Sequence, residues 1–523
     1  MPDLLERLKT ALADRLRHRA GDWCWRHGHG LPSRGPEAPP QGGGEGVAAG
    51  TRYHFGVELF LREIRIGAIV AVLAIGTWGC SDSPARILAP IALSVEIVDN
   101  VGPLLAALEV ELNVPASIDV DYWTESIPRL RVTSPQAQFH RVLLARLAPA
   151  RVYQFEVRLT APAELRGVTH RGEFATDTLP SRLAQIVLDA TGQTTLPLTM
   201  LEIIGGDDLF TGYAAINAQG TVMWYWPTDG LPHGWSRRAN GNFVLMALDV
   251  GVMEVTPEGH VIAEVPSTPE RTMHHDVVAT PANTVLFIAN DRRVVDGILW
   301  AGEGIWEWDP DQNVLEQRWS SFDFLSPATD RGPRSNPNDW LHLNSLAIGP
   351  RGNLIVSSPY LSQIISISSD YRSLEWRLGG PGTTLNVTPD AVFSGQHSVA
   401  ELSPGRILLF DNGASRADGA LFSRALELQV DFNDGSVTNA WEFRPSPDNY
   451  TPFVSSTRRL ANGNTMVAFG LSTELPFGSS GIEVYEVTTA QDVIWHLRIG
   501  GPTVLYRASP LSNIAGEVTV SGQ

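Results

Sequence analysis

Short apolar runs alternate with turns from Leu201 into the C-terminal part of the chain, in a pattern that repeats six times. Each unit reads as a β-hairpin, a turn and a strand that usually ends on an aromatic residue. The units span residues 212–226, 251–265, 304–319, 363–378, 424–443 and 481–497. Asn-Gly pairs between alternating apolar positions indicate the hairpin turns. Repeats of several strands are typical of propeller blades, so we predict an all-β chain with a six-bladed β-propeller over residues 200–523.

A second, shorter β pattern precedes these repeats, over residues 87–175. Its alternating apolar and polar positions predict short strands at 106–114, 117–123, 129–132 and 140–144. Residues 147–157 resemble the Leu-x-Pro-x-x-x-Tyr-x-Phe-x-Val stretch of fibronectin type III domains, in which the tyrosine packs at a strand corner. We therefore expect a small fibronectin- or immunoglobulin-like β-sandwich before the propeller, with Tyr153 in a structural role.

The N-terminal part has the marks of an export signal. Residues 1–56 are rich in Arg, Gly and Pro, and we interpret them as disordered or as an upstream segment included by a wrong start. A basic flank and an apolar run at 66–75 then lead to Gly79-Cys80, which resembles a bacterial lipoprotein cleavage site. Residues 57–80 are thus predicted to be a lipoprotein-type signal peptide with lipid on Cys80, and the protein an exported, membrane-anchored cell-envelope protein, periplasmic or at the cell surface. Plain secretion and a buried helix are the alternatives.

Composition narrows the chemistry. A net charge of −18 argues against binding nucleic acid, which requires basic surfaces. Lys9 is the only lysine, so the later part of the chain has neither a phosphate-loop lysine nor a Schiff-base lysine. Any bound anion must therefore be met by Arg, His or backbone N–H groups.

Three predicted loops carry a histidine just before a strand: His274 and His275 in the first, His342 in the second and His397 in the third. A ring of repeats would direct these loops toward one axis. Two bland interpretations stay open. The histidines could cap the inner strands by hydrogen bonding, or they could together hold a metal ion.

A set of motifs resembles one known family. In chain order they are His274-His275-Asp276, His342-Leu-Asn-Ser345, Leu378-Gly-Gly-Pro381, Gly395-Gln-His397, Phe410-Asp-Asn-Gly413, Ser423-Arg424 and Asn462-Gly-Asn464. Their order over residues 200–510 is similar to that of the bacterial arylsulfate sulfotransferases, which use no nucleotide donor. The resemblance implies transfer of a sulfuryl group from a phenolic sulfate ester to a phenol through a sulfohistidine, with no cofactor and no metal.

The resemblance also implies residue roles. His397 would be the nucleophile, with His342 and one of His274 and His275 donating hydrogen bonds or a proton. The expected substrate-binding residues are Asn344, Gln396, Arg424, Arg458 and Tyr360. One departure matters: Ser358 is followed by Pro359 and Tyr360 where the relatives carry an arginine. Either Arg424 or Arg458 replaces that cation, or the substrate differs, or activity is lost.

Two rival functions remain. A non-catalytic, surface-anchored propeller that binds a ligand or a partner would explain the missing arginine. A quinoprotein dehydrogenase would need a cofactor-binding set that includes a lysine or a calcium-binding carboxylate cluster, and the predicted propeller has neither. Oligomeric state is not indicated by the sequence.

Overall fold

The computed structural model describes residues 92–520 apart from 126, 207 and 472–480. The predictions for residues 1–56, for the signal peptide at 57–80 and for Cys80 lie outside the described residues. Within the described part, no helix is long and apolar enough to cross a membrane.

The described chain is built almost entirely of strands and turns, which confirms the all-β prediction. Helical structure is limited to one turn of α-helix, α1 (Ser181–Ala184), and three short 3-10 segments at Ala163–Leu165, Ser321–Asp323 and Pro389–Ala391. The first strands are β1 (Leu93–Gly102), β2 (Leu105–Thr124), β3 (Ile127–Leu144), β4 (Val152–Ala161) and β5 (Thr169–Ala175).

The later strands form the repeats. They are β6 (Val187–Gly192), β7 (Leu198–Gly205), β8 (Gly212–Ile216), β9 (Val222–Pro227), β10 (Pro232–Arg237), β11 (Phe243–Ala247), β12 (Gly251–Val255), β13 (Val261–Pro266), β14 (Met273–Ala279), β15 (Val285–Val295), β16 (Ile298–Asp309), β17 (Val314–Ser320), β18 (Ser345–Ile348), β19 (Leu354–Ser358), β20 (Gln363–Ile367), β21 (Leu374–Leu378), β22 (Asn386–Val387), β23 (His397–Ser403), β24 (Arg406–Asp411), β25 (Arg424–Asp431), β26 (Ser436–Phe443), β27 (Ser456–Arg459), β28 (Thr465–Phe469), β29 (Ile482–Val487), β30 (Val493–Gly500), β31 (Thr503–Leu511) and β32 (Thr519–Val520).

In the N-terminal part of the described chain, the prediction of several short strands was wrong. Segments 106–114 and 117–123 are one strand, β2, and segments 129–132 and 140–144 are one strand, β3. A register shift between Glu111 and Ala116 breaks the alternation, which is why the sequence pattern reads as two pieces. Strand pairing joins all five N-terminal strands, β1 through β5, and β32 into one sheet. A sandwich of two sheets therefore stays a prediction. Tyr153 has the expected structural role: it is fully buried, and its hydroxyl accepts a hydrogen bond from the Ala148 N–H at 2.8 Å.

Six further sheets follow, each of four or five strands. Their orders are β31-β7-β8-β9, β10-β11-β12-β13, β14-β15-β16-β17, β18-β19-β20-β21, β22-β26-β25-β24-β23 and β27-β28-β29-β30-β6. Each of the six repeat stretches found in the sequence lies on one antiparallel pair, and each sheet contains one such pair. The C-terminal part of the chain completes the first sheet. Its strand β31 pairs with β7, which lies about three hundred residues earlier in the sequence.

Neighbouring sheets share apolar cores. In β11, Phe243 and Leu245 pack in one cluster with the first sheet, whereas Val244 and Met246 pack in another with the third sheet. This two-sided burial explains why β11 reads as a continuous apolar run rather than an alternating one. The following sheets also share apolar clusters with their neighbours. A further cluster contains both Met466 of the sixth sheet and Leu201 of the first.

The outer tryptophans connect one sheet to the next. Trp224 of β9 donates its indole N–H to the carbonyl of Pro257 at 2.8 Å, in the turn of the following sheet. Trp495 of β30 does the same toward Ala218 of the first sheet, also at 2.8 Å. The innermost strands β10, β14, β18, β23, β27 and β31 contact one another in succession, and β31 contacts β10. Their first residues therefore meet at one end and their last residues at the other.

Candidate active site

Histidines gather where the innermost strands begin. His233 is the second residue of β10, His274 and His275 lie at the start of β14, His397 begins β23, and His342 precedes β18. The rings of His233 and His275 stack with centroids 5.0 Å apart, and the rings of His275 and His342 meet edge to face at 4.6 Å. We call these five side chains the histidine cluster.

His397 is held in one tautomer. Its Nδ1 lies 2.8 Å from the Asn412 Oδ1 and 3.1 Å from the Gly395 carbonyl, and both are acceptors, so Nδ1 carries the proton. The Asn412 amide is fixed in turn, because its Nδ2 donates to the carbonyls of Thr451 and Val454. Among the described residues no hydrogen bond engages Nε2. The lone pair of Nε2 is therefore available as a nucleophile.

The His397 imidazole is neutral. Burial lowers its pKa to about 3, against a smaller opposing contribution from the Asn412 hydrogen bond, and the charges of His342 and Arg507 lower it further. An ordinary histidine titrates near pH 6.5, so His397 stays unprotonated over a far wider range than a surface histidine. A nucleophilic imidazole needs this form.

His233, His274 and His275 are also kept neutral, principally by burial. The pKa of His274 falls to about 4, and those of His233 and His275 fall well below the ordinary value. The His275 backbone N–H donates to His233 Nδ1 at 3.2 Å, which leaves the His233 proton on Nε2. His274 Nε2 lies 3.1 Å from the Asn290 Oδ1, an acceptor, so the His274 proton is on Nε2. The His275 Nδ1–H therefore donates to the His274 Nδ1, 2.8 Å away. Of these three neutral rings, His233 keeps an N–H, on Nε2, that no described residue accepts.

Two of the histidines have a strained backbone. His275 has φ 68° and His342 has φ 56°, in the left-handed region that residues with a Cβ seldom adopt. Such conformations persist only where the surrounding structure holds them, and they concentrate at functional sites. Here they turn both rings toward each other.

His342 has a different partner from His397. Its Nδ1 lies 2.8 Å from the Asp339 Oδ2, and its ring stacks on Tyr360 at 4.6 Å with an interplanar angle of 9°. Burial favours the neutral acid at Asp339, but hydrogen bonds from His342 and Tyr360 outweigh burial and lower the pKa of Asp339. Tyr360, predicted to bind substrate, thus supports His342.

A buried carboxyl lies behind this pair. Glu303 of β16 accepts a hydrogen bond from the Leu343 N–H at 3.3 Å, and among the described residues its Oε2 has no partner. Burial, and then the charge of Asp339, raise the pKa of Glu303 to about 8. Glu303 is therefore mostly protonated at neutral pH, and no sequence pattern pointed to this residue.

Arg507 of β31 is a cation whose charge acts on the histidine cluster. It is buried, and its guanidinium donates to the Asp276 Oδ1 at 2.6 Å and to the Asn344 carbonyl at 2.9 Å. Its positive charge contributes to the low pKa of His397 and of His233. Burial opposes the charge on Arg507, but Asp276 and other acidic groups outweigh it and raise the pKa of Arg507.

Asn344 and Gln396 belong to the framework below the cluster. Both side chains are 0% exposed. The Asn344 Nδ2 donates to the Gln396 carbonyl at 2.8 Å, and the Gln396 Nε2 donates to Ser357, Ser358 and Gln363. In the structure their N–H groups tie neighbouring strands together, and substrate binding by these two side chains stays a prediction.

The two arginines predicted to bind substrate, Arg424 and Arg458, have other surroundings in the structure, and their binding role stays a prediction. Arg424 is buried, and its guanidinium is occupied by Asp411, Glu442 and two backbone carbonyls, so it stabilises the fifth sheet. Arg458 lies near the end of β27, not at its start, and lines a cavity that contains none of the five histidines. Neither arginine contacts the histidine cluster.

Sequence reasoning missed His233, Arg507 and Glu303. His233 follows a turn and starts β10 as its counterparts start their strands, so an alignment of the repeats could have found it. Arg507 gave no comparable signal, because its place depends on the return of β31 to β7. Among the described residues, no group of three or more His, Cys, Asp or Glu side chains is arranged to hold a metal ion.

Comparisons with known proteins bear on this site. The profile of the arylsulfotransferase (ASST) family matches residues 198–499, which is more than half of the chain. No curated protein sequence matches the chain.

Solved structures show only remote likeness. A protein of unknown function from Bacteroides caccae is 14% identical, covers 60% of this chain and 99% of its own, and has a TM-score of 0.41. A catalytically inactive virginiamycin B lyase from Staphylococcus aureus with quinupristin is 10% identical, with 60% and 99% covered and a TM-score of 0.33. A quinonprotein alcohol dehydrogenase-like protein from Bacteroides thetaiotaomicron is 8% identical, with 79% and 98% covered and a TM-score of 0.34. These likenesses carry no argument about function.

Proposed function

The chain belongs to the arylsulfotransferase family, and on that premise we propose that it moves a sulfuryl group from a phenolic sulfate ester to a phenol through a sulfohistidine at His397. The observation that carries the proposal is the free Nε2 lone pair of a neutral His397 whose Nδ1 proton is held by Asn412. No cofactor takes part in this cycle.

In the first half-reaction, Nε2 of His397 attacks sulfur. An N–S bond forms, the S–O bond to the aryl group breaks, and its electron pair leaves on the phenolate. The ring becomes positive while the attached group stays negative, and the Nδ1–H bond to Asn412 stabilises that ring charge. His342, paired with Asp339, gives a proton to the phenolate.

The second half-reaction reverses these steps. The acceptor phenol returns a proton to His342, and its oxygen attacks the sulfur. The N–S bond breaks, and neutral His397 is restored. Because donor and acceptor use the same site in turn, the kinetics should be ping-pong.

Arg507 supplies the positive potential that the missing arginine would have given. It does not contact His397, so it acts as a positioning residue: it holds Asp276 and the Asn344 carbonyl and adds charge behind the cluster. The Nε2–H of His233 is then a direct donor to a sulfuryl oxygen.

We also propose that the six sheets close into a six-bladed propeller. Shared cores between consecutive sheets, a last core between the sixth and first sheets, and contact of β31 with β10 support closure. The N-terminal sheet would fold over itself as a sandwich, since β1 and β5 contact each other without pairing.

Export with a lipid on Cys80 is part of the proposal and rests on the sequence signal at residues 57–80. The native protein should begin at Cys80 and partition into detergent, because each buried CH2 of the lipid contributes about 0.8 kcal/mol. Mass spectrometry that found an intact Met1 in the native protein would refute this.

The enzymatic proposal is tested with 4-nitrophenyl sulfate as donor and phenol as acceptor. We expect release of 4-nitrophenol that depends on phenol, is lost in His397→Ala, and is unchanged in His260→Ala, which alters an exposed histidine outside the cluster. The second candidate function is ligand binding without turnover, favoured by the lack of any arginine that contacts the histidines. Saturable donor binding with no turnover by wild type would put that candidate first.

A further inference from the structure

A second cavity opens at the opposite ends of the strands that carry the histidine cluster. It has a volume of about 1040 Å³ and is lined by the last residues of β10, β14 and β18, together with Arg458 and residues 512–517. The histidines lie at the first residues of these strands. The cavity is therefore separate from the candidate active site.

The arginines of this cavity are unequally compensated. Arg238 is bound by Glu254 and Asp311, each at 2.6 Å. Arg237 donates to the backbone carbonyls of Asn513 and Ile514, and not to a carboxylate. Arg458 has no hydrogen bond or ion pair to any residue that the structure describes.

The acids of the cavity do not balance this charge. Asp276 is bound by Arg507 at 2.6 Å, and Glu517 is exposed to solvent. Burial lowers the pKa of Arg237 to about 10. Burial and then the charge of Arg507 lower the pKa of Arg458, and they outweigh the opposing charges of Asp276 and Glu202. A partly buried guanidinium that is not hydrogen-bonded to a described acid is costly, so the cavity favours an anionic ligand.

The rest of the wall is mixed. Apolar side chains at Trp235, Val277, Leu346 and Ile348 share it with polar ones such as Thr280. Ligand pockets of about 300–1,000 Å³ with apolar walls and a few polar groups bind small organic molecules. The free guanidinium fork of Arg458 matches a carboxylate, which accepts two parallel N–H bonds.

We propose that this cavity is a second binding site, for a small organic carboxylate with an apolar body, held by Arg458 with Arg237 beside it. The site is independent of sulfuryl transfer, since a carboxylate is not a sulfuryl donor.

Titration calorimetry of the full chain with benzoate tests the proposal. We expect wild type to bind benzoate saturably, and Arg458→Gln to weaken binding by roughly ten- to hundred-fold, the loss of a charged hydrogen-bonded pair. The matched control is Arg459→Gln, which removes the neighbouring positive charge. Arg459 is bound by Glu427 and does not line the cavity, so benzoate affinity should not change.

A neutral probe separates charge from apolar contact. Benzyl alcohol has nearly the shape of benzoate and should bind much more weakly to wild type. Arg458→Gln removes a cation without a partner, so its melting temperature should not fall, and Arg458→Lys should recover part of the affinity. Absence of saturable benzoate binding, wild-type affinity in Arg458→Gln, or equal binding of benzyl alcohol would overturn the proposal.

Discussion

His397 and His342 belong to one cluster, but their Nδ1 atoms have different hydrogen-bond partners. Around His397, Nδ1 donates to a neutral amide, Asn412, and burial keeps the ring neutral. Around His342, Nδ1 meets the carboxylate of Asp339, and the ring stacks on Tyr360. An amide fixes the tautomer without adding charge, whereas a carboxylate places a negative charge beside the ring.

The difference divides the chemistry between the two rings. A nucleophile needs a free lone pair, and His397 has one. An acid needs a proton that is replenished; in the proposed cycle the acceptor phenol returns one to His342, and Asp339 holds that ring in place. The same residue type thus serves two roles because a single neighbouring side chain differs.

Asp339→Asn should have the largest effect, because it gives His342 the kind of partner that His397 has. We expect transfer from phenyl sulfate to fall roughly 10²–10⁴-fold, the scale of a lost acid–base contribution. The loss should be smaller for 4-nitrophenyl sulfate, whose leaving group needs less protonation. Equal losses for both donors would show that Asp339 only supports the fold.

Asn412→Ala removes the hydrogen-bond partner of His397 Nδ1. His397 loses the acceptor that holds its Nδ1 proton and stabilises the positive ring of the intermediate. We expect kcat to fall about 10²-fold with both donors, similar to the loss of one preorganised hydrogen bond. A fall in donor affinity with unchanged kcat, measured by steady-state kinetics, would contradict this role.

The neutral state of His397 also predicts an acid sensitivity. Its folded pKa of about 3 lies below the unfolded value of about 6.5, so between these pH values the unfolded state binds more protons. Stability is therefore lost as pH falls from 6.5. Urea unfolding at pH 6.5 and at pH 5 measures this loss. Between the two pH values, the free energy of unfolding should fall by about 2 kcal/mol less in His397→Gln than in wild type.

The exposed His260 provides the control for this measurement. His260→Gln should lose as much stability as wild type over the same pH range, because its side chain is exposed to water in the folded state. A pH dependence in His397→Gln equal to that of wild type would mean that His397 is protonated in the folded protein.

Arg507 should have the smallest effect, because it acts from behind the cluster. Arg507→Gln alone leaves the buried Asp276 unpaired and should be destabilising, so the informative variant also carries Asp276→Asn. We expect the double variant to melt near wild type and to lose about ten-fold in kcat/KM, mainly through KM for the anionic donor. An unchanged KM would show that Arg507 does not contribute to binding of the anionic donor.

The sequence pattern was informative where local chemistry decides the structure. Tryptophans such as Trp224 and turns such as the Asn-Gly at residue 240 marked the repeats, because strand ends and hairpins depend on adjacent residues. The loops of His274, His342 and His397 were visible for the same reason. The sequence failed where distant contacts decide: β2 and β3 continue through a register shift, and burial rather than sequence sets the low pKa of His397.

The arginines show this limit most clearly. Arg424, Arg458 and Arg507 are equivalent in a sequence motif search, but only the third approaches the histidines. Arg424 is taken by Asp411, and Arg458 lies at the other end of its strand. Which of the three serves the site depends on pairing between β31 and β7, and no local pattern records that pairing.

The central claim is that Nε2 of His397 carries the sulfuryl group, and trapping the intermediate tests it most directly. The full chain is incubated with 4-nitrophenyl sulfate without an acceptor, quenched at alkaline pH and digested for mass spectrometry. We predict the mass of one added sulfuryl group on the peptide that contains His397, removed by acid or by later addition of phenol. Donor turnover without that modified peptide, or the same modification on a peptide containing His342, would contradict the account.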